Sequence, residues 1–124
     1  MADEPLVDFN VTFNVEQVGG PSAGLMLSLA LIDKLSPGEL NGGRFIAGSG
    51  TIDSAGSVGP IGGIRYKLIA AKEAGATEFL VPADNCGEAR KYAVDDLTLI
   101  RVEDLQGAIS SIEGVKDGQE VPTC

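Results

Sequence analysis

From residue 44 to the end, the chain alternates between two hydrophobic periods. The pattern predicts strands over 44–52, 77–81 and 97–102, with helices over 62 or 63 to 74, 84–93 and 103–112. Strand and helix in strict alternation imply an α/β domain, its sheet and helices in layers. Pro82 marks the end of the second strand, and Gly75 the end of the first helix. DSAGSVGP at 53–60 reads as a tight turn into a short return strand. After Gly114 the tail looks loose.

Upstream, residues 6–13 alternate, with Val7, Phe9, Val11 and Phe13 on one side and Asp8, Asn10 and Thr12 on the other. That is a half-buried strand. Residues 14–20 are connecting loop. Residues 22–35 are apolar nearly all round and read as a buried helix, ended by Ser36-Pro37-Gly38. At 124 residues, with no repeat or linker, the chain fits one domain over 1–124. No apolar run is long enough to span a bilayer, and the acidic start lacks a signal peptide's basic region.

The corner ahead of the first helix is GGPSAG, residues 19–24, with one hydroxyl at Ser22. Two readings of Ser22 stand. Serine is a favoured helix cap, worth about 1 kcal/mol. Equally, the first N–H groups of a helix have no partner within it and suit a developing oxyanion, so Ser22 could attack a carbonyl there. A nucleophilic serine needs a base, and the chain has no histidine. The other known activator is lysine. The lysines are Lys34, Lys67, Lys72, Lys91 and Lys116. A lysine base must be neutral, and burial is the usual means of lowering its pKa.

On a wheel of IRYKLIAAKEAG, residues 64–75, Lys67 falls between Ala71 and Ala74, flanked by Ile64 and Ala70. It is a lone charge on the small, apolar side; the alternative is that the alanines are surface helix formers and Lys67 is solvated. Arg65 and Lys72 fall together on another side. The absence of histidine also argues against zinc, since two cysteines cannot close a tetrahedral site. The net charge of −9 repels phosphate backbones, so nucleic acid is an unfavourable partner.

GPSAG at 20–24, followed by PIGGIRYKLIAAKEAG at 60–75 with Lys67 standing 45 positions after Ser22, resembles the proteolytic domain of the Lon family. The resemblance runs from about Val11 to Cys86. It implies the family's α/β fold, of the ribosomal protein S5 domain 2-like type. It also implies a serine endopeptidase with a Ser22–Lys67 catalytic dyad, acting on protein or peptide substrates without cofactor or metal. In FIAGSGTI the family's hydroxyl residue before a glycine is Ser49, placed to orient the lysine amine. The implied oxyanion donors are the main-chain N–H groups of Gly20 and Ser22. Self-association follows from the family's rings.

GGPSAGLMLSLALIDKLSPGEL and VPADNC look closest to bacterial PDZ-containing Lon-like proteases, which carry a membrane segment and act outside the cytoplasm. That resemblance implies a fragment lacking upstream strands, PDZ domain and membrane segment, on the extracytoplasmic side; the alternative is a cytoplasmic protein. It also favours a disulfide between Cys86 and the terminal Cys124, against two plain thiols. The sequence departs from Lon proper at Gly19, where the family has Asp, and carries no ATPase module, so proteolysis by this chain is expected to be ATP-independent. The rival reading is a binding or assembly module that keeps the fold without turnover.

Overall fold

A computed structural model describes residues 21–35 and 44–124. The expected strand at 6–13, the loop at 14–20 and the helix stop at 36–38 lie outside the described residues. Pro21–Ala23 forms a 3-10 turn that runs directly into helix α1, Gly24–Leu35. Proline suits such a start, because its fixed φ is already helical and its missing N–H would have no partner there.

Helix α1 buries Leu25, Met26, Leu29 and Ala30 as one stripe, whereas Leu27 and Leu31 are 40% and 59% exposed. The expectation of a helix buried all round is corrected accordingly. Leucines on both sides hide a one-sided stripe whose spacing is that of an ordinary layer helix.

Strands β1 (Ile46–Gly48), β4 (Glu78–Pro82) and β5 (Thr98–Val102) form a parallel sheet in the order β1-β4-β5. Between β1 and β4 lie a small antiparallel pair, β2 (Thr51–Ile52) with β3 (Val58–Gly59), and helix α2, Ile64–Ala74. The single strand expected over 44–52 is thus two strands, each with a different partner, broken at Ser49–Gly50. The turn joining β2 to β3 is held by Asp53, whose Oδ1 accepts the N–H of Ala55 at 2.9 Å and of Ser57 at 2.8 Å.

Between β4 and β5 the expected helix is shorter: a 3-10 turn over Ala83–Asn85, then α3 over Cys86–Lys91. Helix α4, Leu105–Lys116, is longer than expected and continues through Gly114. Asp104 caps it, Oδ1 accepting Gly107 N–H at 2.6 Å.

The central strand explains the layering. All five residues of β4 are buried, because helices cover both faces. Leu80 joins Ile46, Ile100 and Val102 in a core with α1 and α4. Phe79 and Val81 join Ile64, Leu68, Ala71, Cys86 and Ala89 in a second core with α2 and α3. The tail is not loose. Thr123 bridges Ile100, Arg101 N–H donates to Pro122 C=O at 3.1 Å, and Cys124 N–H donates to Leu99 C=O at 3.1 Å. The last residues thereby take up main-chain groups that a strand at a sheet edge leaves unpaired.

Candidate active site

The turn carrying Ser22 is locked to the break between β1 and β2. Gly50 N–H donates to Ser22 C=O at 3.1 Å, and Leu25 N–H donates to Gly50 C=O at 2.9 Å. This approach requires glycine: a Cβ at residue 50 would stand 2.9 Å from Val58 Cγ1 and 3.3 Å from Leu25 Cδ2. Ser49, beside it, is 1% exposed, and its hydroxyl donates to the same Ser22 carbonyl at 3.2 Å.

Lys67 comes from the first turn of α2. That helix starts at Gly63, whose φ of 71° places it in the left-handed region. Tyr66 N–H and Lys67 N–H both donate to Gly63 C=O at 3.1 Å. The Lys67 side chain is half-buried, with the buried Ile64, Leu68 and Ala71 around it on the helix, whereas Ala70 and Ala74 are exposed. Lys67 therefore lies at the edge of the buried stripe. Its Nζ is 3.4 Å from Ser22 Oγ and 3.2 Å from Ser49 Oγ. Burial pushes the Lys67 pKa below the ordinary lysine value, because loss of water disfavours the ammonium.

Three elements distant in sequence thus bring Ser22, Ser49 and Lys67 together. The hydrogen-bond directions are constrained as well. Ser49 has one hydroxyl proton, and it points at the Ser22 carbonyl. Its oxygen lone pairs then face Lys67, so Ser49 accepts from the amine.

Of the other residues singled out from the sequence, Gly20 lies outside the described residues. Cys86 and Cys124 are joined by a disulfide, Cα atoms 5.1 Å apart. Lys72 is half-buried. Among the described residues, no group of three His, Cys, Asp or Glu side chains is placed to hold a metal ion, and no helix is long and apolar enough to cross a membrane.

Two arrangements escape sequence reasoning. Arg44 pairs with the buried Glu78 at 2.5 Å, which raises the Arg44 pKa through the hydrogen bond and charge of Glu78. Asn85, 5% exposed, holds the main chain of Ile61 from both sides: its Oδ1 accepts Ile61 N–H at 2.9 Å, and its Nδ2 donates to Ile61 C=O at 3.0 Å. The sole sequence signal was an amide residue within VPADNC.

The family model of the Lon protease (S16) C-terminal proteolytic domain matches residues 16–114. The Lon protease of Clostridium beijerinckii is 34% identical over 99 residues, which cover 77% of this chain and 12% of that protein. Lon protease 1 of Sorangium cellulosum is 46% identical over 66 residues, covering 53% of this chain and 8% of that protein. The Lon protease of Phenylobacterium zucineum is 36% identical over 95 residues, covering 74% and 12%. The match to this chain thus covers 12% or less of the length of these relatives.

Proposed function

The chain belongs to the Lon protease (S16) family, and from that premise we propose that it is a serine endopeptidase in which Ser22 attacks the peptide carbonyl and Lys67 is the base. The observation that carries this reading is the 3.4 Å separation of Lys67 Nζ from Ser22 Oγ. That is slightly long for proton transfer, as is common in free enzymes, and such pairs shorten in the substrate complex.

The steps balance on these groups and water. Neutral Lys67 takes the Ser22 hydroxyl proton as Oγ bonds to the carbonyl carbon, and the C=O electron pair moves to oxygen. The tetrahedral intermediate collapses, the C–N bond breaks, and the Lys67 ammonium gives its proton to the leaving amine. Water then attacks the ester, losing a proton to Lys67, and Ser22 leaves with that proton. The main-chain N–H groups of Ser22 and Gly20 are proposed to hold the oxyanion.

Ser49 directs the base. A neutral lysine has two hydrogens and one lone pair. With one hydrogen held by Ser49, the lone pair can face the Ser22 hydroxyl. These steps consume no nucleotide, so hydrolysis by this domain is taken as ATP-independent. The substrates are proteins or peptides. An extracytoplasmic location of the whole protein is supported by the disulfide, which persists in oxidising compartments.

The test is cleavage of an unfolded protein and of a fluorogenic peptide. Ser22→Ala, Lys67→Ala and Lys67→Arg are each expected to lower kcat by about 10²–10⁴-fold or more, since guanidinium keeps its proton. Lys72→Ala should stay within a factor of a few. Because the neutral amine is the active form and its pKa is lowered, kcat/KM should rise with pH and level off above the Lys67 pKa. Normal turnover by Lys67→Arg, or a flat profile between about pH 5 and 9, overturns the lysine base. No turnover by the unaltered domain favours the silent binding module instead.

A further inference from the structure

We propose that Asn85 is a positioning residue for the reaction: by clamping the main chain of Ile61, it sets the point from which α2 presents Lys67 to Ser22. The proposal rests on the Ser22–Lys67 reading above.

A planar amide carries an acceptor and a donor side by side, and Asn85 uses both on one residue, as a neighbouring strand would. Aspartate lacks the donor and leucine lacks both. The amide is buried, so its hydrogen bonds are shielded from competing water and hold a defined geometry. Ile61 also packs against the core beneath α2 and α3.

Only Gly62 and Gly63 separate this clamp from the helix, and a Cβ at either would meet nothing within 4 Å. Packing therefore does little to hold those two glycines. Ile61 is the last firmly held residue before Gly63, whose carbonyl receives the first N–H groups of α2, that of Lys67 included. On the other side, Asn85 is itself anchored. It follows β4, the buried central strand, and precedes Cys86, which is bonded to Cys124. The path runs from the sheet centre through Asn85, Ile61 and Gly63 to Lys67. A reacting group misplaced by about 1 Å can cost about 100-fold in rate.

The experiment compares Asn85→Leu and Asn85→Ser with the unaltered chain; neither adds a charge near Lys67, whose Nζ meets the hydroxyls of Ser22 and Ser49. Three quantities are measured: kcat and KM on a fluorogenic peptide, the melting temperature, and the Lys67 titration midpoint, from the NMR signal of its Cε assigned with Lys67→Arg. In both variants kcat is expected to fall by about 10- to 100-fold while KM stays within about 3-fold. The Lys67 midpoint should move up towards the ordinary lysine value as the loosened loop admits water. Unchanged kcat and midpoint with a lowered melting temperature overturn the proposal, and so does loss of folding in both variants, since Asn85 is then a structural residue only. If Asn85→Leu alone fails to fold, Asn85→Ser decides by the same readings. If the unaltered chain cleaves nothing, the dyad reading fails; the Lys67 midpoint in the variants still decides the clamp, a shift supporting it and no shift refuting it.

Discussion

Ser49→Ala separates the proposed orientation of the Lys67 base from stability of the fold. The Ser49 hydroxyl makes two contacts: it donates to Ser22 C=O at 3.2 Å and accepts from Lys67 Nζ at 3.2 Å. Removing it does not orphan the Ser22 carbonyl, which keeps the Gly50 N–H at 3.1 Å. The fold should therefore lose about 1 kcal/mol or less, a shift of roughly 3–5 °C in melting temperature for a domain of this size. The rate should suffer more. Without its acceptor the neutral amine can settle in any of roughly three staggered orientations, of which one aims the lone pair at Ser22. As Lys67 takes the proton its bond to Ser49 becomes charge-assisted and strengthens by about 1 kcal/mol, and losing that gain adds a factor of about 5, for a fall of roughly 15-fold in plateau kcat. The pH dependence carries an independent sign. Ser49 accepts from the ammonium and so favours the charged form; its loss lowers the Lys67 pKa further, and the acid limb of kcat/KM moves to lower pH. Peptide cleavage followed from about pH 5 to 10, beside a thermal melt, reads both effects. An unchanged plateau, or an acid limb displaced to higher pH, would refute the assigned role, whereas Ser49→Thr should retain most of the rate because it keeps the hydroxyl.

The two glycines ahead of α2 should respond differently to alanine. Gly63→Ala should lose about 1–2 kcal/mol by chemical denaturation, since its φ is 71° and its Cβ would meet nothing within 4 Å, which leaves backbone strain as the cause. Gly62→Ala, equally open and outside the left-handed region, should stay within about 0.5 kcal/mol; equal losses at both would count against the left-handed start. The Cys86–Cys124 bond closes a loop with a sequence separation of 38, and replacing both cysteines with serine should cost about 4 kcal/mol on the chain-entropy account. Intact mass before and after reductant checks the bond itself, and two free thiols in oxidised protein would contradict it.

What could be read from the sequence, and what could not, divides along a physical line. Ser22 and Lys67 stood out because each is locally conspicuous: one hydroxyl in a glycine-proline corner, one charge on the apolar side of a helix. The run FLV announced β4 because a strand covered on both faces has no polar period to disguise it. The break at Ser49–Gly50 leaves no mark of its own, since FIAGSGTI has no proline or charge to punctuate it, and only a change of partner from β4 to β3 shows the interruption. Both sides of α1 carry leucine, so its exposed face could not be told from its buried one by composition. The tail looked loose because QEVPTC has no strand period; main-chain pairing with β5 holds it, and main-chain groups leave no side-chain signature. Asn85 is the extreme case. Its partner is the peptide of Ile61, 24 residues upstream, and any residue at position 61 but proline would offer the same N–H and C=O. The groups proposed to react sit at the ends of elements, where Pro21, Gly50 and Gly63 mark the chain. The contacts that fix those ends relative to one another are polar and long-range, and periodicity is blind to them. Errors in reading such a site from sequence alone should therefore concentrate in its supporting residues rather than in its nucleophile and base.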